Sequence, residues 1–148
     1  MGEIRRLEIY NRKLLRQKKL LIISDIHREK TTGQENLDKV QAQIKPEFEE
    51  IDIILIIGDL LNDVNDLKDP EFKRVFIESI KEFTKGKPTF VTLGNHDKMT
   101  REGKEDWNDG NEQLLLEVLS EIENVRVVDQ GVQKIGDYFG TVRVTIFS

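Results

Sequence analysis

The chain has 148 residues, 37% of them apolar and 34% charged, with a net charge of −5. That length and balance suit one compact domain with its own core, and they exclude a disordered chain or a fibre. The absence of cysteine removes disulfides, thiolate nucleophiles and cysteine-ligated metal clusters, and no apolar run reaches the ~20 residues of a membrane span.

The charge is unevenly spread. Seven basic residues (Arg5, Arg6, Arg12, Lys13, Arg16, Lys18 and Lys19) against Glu3 and Glu8 give the first 19 residues +5 and leave −10 on the rest. This leader is either a patch for an anionic partner or a solvated first element, while the acidic body argues against nonspecific nucleic-acid binding by charge. It has neither an uninterrupted apolar stretch nor a small-residue cleavage site, so no secretory leader is expected and the expected location is cytoplasmic.

In chain order, the apolar run 20–23 predicts a first strand, ending at Ser24-Asp25. Leu37, Val40, Ile44 and Phe48 have helical spacing, with Pro46 placed to break the segment. The run 51–57 predicts a second strand, near 53–57, ending at Gly58-Asp59. Asp63, Asp66 and Asp69 lack Ca²⁺-loop spacing and read as a solvated helix entry. Asp69 then suits an N-cap with Pro70 at the first helical position, and Phe72, Val75, Phe76, Ile80 and Phe83 share a face until Gly86 ends the helix.

A third strand is expected near 89–93, entered through Pro88 and ending at Gly94-Asn95. Residues 104–111 read as a charged loop, whose Trp107 either stacks on an aromatic substrate group or packs half-buried. A helix is expected over 112–122, with Leu115, Val118, Leu119 and Ile122 inward, then a strand at 125–128. Further strands at 132–135 and 142–147 flank a hairpin connection, and Val142, Val144 and Ile146 alternate with Arg143, Thr145 and Phe147. Short apolar runs separated by helical segments predict an α/β fold of βαβαβ type, with parallel strands covered on both faces.

Polar clusters stand at the carboxyl ends of the first three strands: Asp25-Ile26-His27, Gly58-Asp59-Leu60-Leu61-Asn62 and Gly94-Asn95-His96-Asp97. They are 34 and 36 residues apart, room for one crossover each, and ligands of open α/β sheets bind outside the carboxyl ends of the strands. Carboxylates, imidazole and an amide oxygen are ligands suited to Mn²⁺, Fe and Zn²⁺. At an extended strand end, Asp25 and His27 would point the same way toward one ion, and Asp59 has an oxygen for each of two. His96 is left to protonate a leaving oxygen, with Asp97 orienting it or raising its pKa. Asn62 reads as a turn residue or one lying behind the ligands.

These three motifs, in this order and each after an apolar strand, resemble the calcineurin-like metallophosphoesterase superfamily over about residues 18–147. The resemblance implies a β-sandwich flanked by helices with a dinuclear site of Mn²⁺, Fe or Zn²⁺. Asp25, His27 and Asp59 would hold one ion, Asp59 and Asn95 the other, and His96 would be the general acid. The substrate would be a phosphomonoester or diester, with nucleic acid a partner only as substrate.

The family pattern continues with an isolated His and a Gly-His-x-His motif, whereas this chain has two His in all. Residues 1–148 therefore read as a single metallophosphoesterase domain truncated at its C-terminus, with an incomplete second sheet. One weakly held ion, impaired activity, and a homodimer or a completing C-terminal fragment are expected. The competing reading is a non-catalytic scaffold of this fold, or the remnant of a split gene.

Overall fold

The computed structural model of the chain describes residues 18–28, 34–102, 106–109 and 112–128. The basic leader before Lys18 and the strands expected at 132–135 and 142–147 lie outside the described residues. Among the described residues, no helix is long and apolar enough to cross a membrane.

Four strands, β1 (Leu20–Ser24), β2 (Ile53–Ile57), β3 (Thr89–Thr92) and β6 (Val125–Val127), form one parallel sheet in the order β1-β2-β3-β6. Helices α1 (Gln34–Ile44), α2 (Pro70–Thr84) and α4 (Glu112–Ser120) make the crossovers, and α3 (Asn95–Lys98) is a single turn directly after β3. Strands added in one direction through crossovers of one hand place their helices on the same face of the sheet. Accordingly Ile23, Ile54, Ile56, Val91 and Val125 share a single core cluster with Leu37 of α1, Phe76 and Phe83 of α2, and Leu115 and Leu119 of α4.

The apolar runs predict coverage on both faces of the strands. Central β2 has four buried residues of five, but β1 is an edge, and its Leu20 and Ile22 are 40% and 60% exposed on the face away from the helices. The start of β1 is pinned to β2 by Asp52. Its carboxylate accepts from Lys18 Nζ and the Lys19 backbone N–H, both at 2.9 Å, and its own N–H donates to the Lys19 carbonyl.

Helix α2 begins where Asp69 and Pro70 predict. Asp69 Oδ1 accepts the N–H groups of Glu71 and Phe72 at 2.9 and 3.0 Å, filling two of the vacancies at a helix start. Phe72, Phe76, Ile80 and Phe83 are its buried stripe, worth about 1.5–3 kcal/mol each. Its end departs from expectation: Lys85 is the left-handed cap (φ 45°), one residue before Gly86 (φ 75°). Asp63 caps the short 3-10 turn Val64–Lys68 through the Asn65 N–H, as an acidic helix entry should.

Helix α4 ends at Ser120, two residues early, because 121 and 122 bond back only three residues; Ile122 is still buried. The expected loop around Trp107 is instead an antiparallel hairpin of β4 (Met99–Glu102) and β5 (Asp106–Asp109), continuous with α3.

Candidate metal centre

The parallel sheet brings the ends of β1, β2 and β3 to one edge, and the loops that follow are stitched together by their backbones. His27 N–H donates to the Asp59 carbonyl at 2.8 Å, Arg28 N–H to Leu60 at 2.7 Å, and Asn62 N–H to Arg28 at 2.9 Å. Gly58 N–H donates to Thr92 at 3.0 Å, tying the second loop to β3.

Asp25, His27 and Asp59 have φ of 55°, 48° and 48°. Left-handed backbone is disfavoured for residues bearing a Cβ, and such strain gathers at functional sites. Among the described residues the only other non-glycine case is the Lys85 helix cap. The expectation that Asp25 and His27 project from an extended strand end is thus corrected: left-handed turns at both residues aim them.

One donor atom from each of Asp25, His27 and Asp59 lies within 4.8 Å of the other two. His27 Nε2 is 3.8 Å from Asp25 Oδ1 and 3.9 Å from Asp59 Oδ2. Those gaps are too long for hydrogen bonds, yet two donors each ~2.0–2.2 Å from a shared ion can stand this far apart. The mixed carboxylate–imidazole set and its strained backbone fit a divalent cation.

His96 joins the group from α3. Its backbone N–H donates to Asp59 Oδ1 at 3.0 Å, and its ring lies edge-on to that of His27 with centroids 4.8 Å apart. Nδ1 is 3.0 Å from the Asn62 carbonyl oxygen. A carbonyl only accepts, so this contact is a hydrogen bond when Nδ1 carries the hydrogen. Asn95 is exposed and sits at the start of α3, between Gly94, which abuts Asp59, and His96.

Asp97 turns to the backbone of the two neighbouring loops. It is fully buried, and both oxygens accept backbone N–H groups: Oδ2 from Leu60 at 3.2 Å and Gly94 at 3.0 Å, Oδ1 from Leu61 at 3.0 Å. Burial pushes its carboxyl up, against the pull of those three amides. The group holding the His96 ring is the Asn62 carbonyl, which no side-chain type announces. The tight approach of Gly94 to Asp59 is the close backbone approach to the site that a glycine at this position allows.

Arg28, which no sequence motif singles out, is 3% exposed, and its Nε and Nη1 have no hydrogen-bond partner among the described residues. Burial pushes the guanidinium down, opposed by the charge of Asp38.

A family model described as calcineurin-like phosphoesterase matches residues 18–144, and no curated protein matches the chain. The matched span takes in all three strand-end motifs and most of the chain. Three parallel strands whose ends converge on an Asp, His and Asp group, with that match across them, show that the chain belongs to the calcineurin-like phosphoesterase family.

Proposed function

We propose that the protein is a metal-dependent phosphoesterase acting on phosphomonoesters or phosphodiesters. The reading is supported above all by the donor atoms of Asp25, His27 and Asp59 lying within 4.8 Å of one another beside the His96 ring. These three residues, with Asn95, would hold the metal, and a divalent ion bound there would supply charge stabilisation for a phosphoryl group and ease deprotonation of water.

The chain's own groups do the rest. Asp59 turns Oδ1 to the His96 N–H, and its Oδ2 side, which faces His27, would be left for an ion. His96, held through Nδ1 by Asn62, would act from its doubly protonated form, passing the Nε2 proton to the departing oxygen so that the alcohol leaves neutral and the ring is left as the Nδ1–H tautomer.

The chain's two histidines are both in this site. With two carboxylates and one imidazole as the clustered donors, we read one weakly held ion and slow turnover. The β-sandwich form of the fold belongs to the same proposal: the face bearing Leu20 and Ile22, opposite the helices, suits a second sheet.

The test is hydrolysis of an aryl phosphate and an aryl phosphodiester by the purified chain with excess Mn²⁺. Slow, Mn²⁺-dependent release is expected, and His96→Ala should abolish it while Mn²⁺ uptake persists. Uptake without hydrolysis of either ester would favour a non-catalytic scaffold. Hydrolysis that ignores Mn²⁺ would contradict the proposal.

A further inference from the structure

We infer that Asp97 is a positioning residue whose buried carboxylate locks the loop after β2 to the turn after β3, and so sets where His96 and Asp59 stand. The lock is read from geometry; its effect on turnover rests on the phosphoesterase reading above. One carboxylate takes two N–H groups, of Leu60 and Leu61, from the residues directly after Asp59, and a third, of Gly94, from just before Asn95 and His96. Both flanks of the site are held by a single side chain.

A closed circuit follows. Asp97 holds Leu61; the next residue, Asn62, presents its carbonyl to His96 Nδ1; and His96 is the neighbour of Asp97 in the chain. Displacing the second loop would move the carbonyl that selects the His96 tautomer. It would also part the His96 N–H from Asp59 Oδ1. A buried carboxylate is costly unless fully hydrogen-bonded, and three amides from two loops supply those bonds here. An apolar side chain would leave the three amides without an acceptor. Asparagine keeps one oxygen and turns an NH₂ toward backbone donors.

The experiment uses the full chain and needs neither metal nor substrate. Amide exchange by NMR should show Leu60, Leu61 and Gly94 N–H protected in the wild type, with the neutral His96 ring as the Nδ1–H tautomer. In Asp97→Asn, with thermal unfolding confirming the fold, the ring should become a mixture of tautomers and the His96 amide should exchange at least about tenfold faster. A folded variant with tautomer and His96 exchange unchanged would overturn the inference.

Should the variant fail to fold, the wild type decides: rapid exchange at those three amides overturns the lock, and protection supports it. Where activity is measurable, a ~1 Å displacement should lower kcat by about a hundredfold while KM changes little. Failure of the wild type to take up Mn²⁺ would count against the metal reading and leave the lock standing on its own NMR result.

Discussion

Gly94 lies so close against Asp59 that a Cβ built on it would stand 2.7 Å from the Asp59 Cγ and overlap its carboxylate and backbone nitrogen. Gly58, in the left-handed region at φ 66°, makes the reciprocal approach, its own Cβ position being 3.2 Å from the Gly94 Cα. The glycines of the second and third motifs therefore pack two loops into contact, so that one carboxylate is shared between them.

Gly94→Ala should accordingly displace Asp59. Overpacking of this kind costs about 1–3 kcal/mol, read as a lower Tm, and Mn²⁺ uptake should be lost with it. An alanine variant with unchanged Tm and uptake would show that the loops have slack that the contact denies.

Strain at the site predicts a trade between stability and binding. Asp25 is left-handed and its side chain is 67% exposed, so the fold gains little from its carboxylate. Asp25→Gly should relieve about 1 kcal/mol of backbone strain, partly offset by glycine's larger unfolded entropy. The expected outcome is an unchanged or higher Tm in metal-free buffer together with loss of the Mn²⁺-induced Tm shift. A clear drop in metal-free Tm would mean that Asp25 is structural.

The two orphaned nitrogens of Arg28 predict that its charge does not stabilise the fold. Removing a buried cation in favour of an apolar side chain of similar length is commonly neutral or stabilising. Arg28→Met should leave urea unfolding unchanged or shift it upward by about 1 kcal/mol, and a loss above about 2 kcal/mol would reveal a partner for the guanidinium.

At the far end of β1, Asp52 supplies a pH dependence. Burial raises its carboxyl, but hydrogen bonds from Lys18 Nζ and Lys19 N–H, with the charges of Lys18 and Lys87, outweigh that and leave it below the ordinary aspartate value. A group depressed in the folded state contributes stability in full above its unfolded pKa and loses it as pH falls through the folded one. Asp52→Asn should therefore lower Tm at neutral pH by an amount corresponding to about 1 kcal/mol, the difference closing in acid below the ordinary aspartate range. A difference that stays constant into acid would detach it from the ionised carboxylate.

Much of this architecture is legible in the residues, and the exceptions have physical causes. Asp69 and Pro70 mark the start of α2 because capping and proline chemistry act locally, and apolar runs mark β1, β2 and β3 because a parallel sheet buries them. The motifs at the strand ends locate the site. The left-handed turns at Asp25 and His27 are hidden because neither residue type marks them, and the backbone bonds of His27 and Arg28 to Asp59 and Leu60 join residues far apart in the chain. Asn62 holds His96 through a backbone carbonyl, and Asp97 serves backbone amides, so neither role is written in side-chain type. The β4–β5 hairpin lacks apolar alternation, and its charged residues read as loop.

Titration calorimetry of Mn²⁺ into the wild type and Asp59→Asn tests the metal reading most directly. Asparagine preserves an oxygen for the His96 N–H but removes the charge facing His27. The account predicts weak uptake of one ion by the wild type and none by the variant. Equal uptake by both, or none by the wild type, would contradict it.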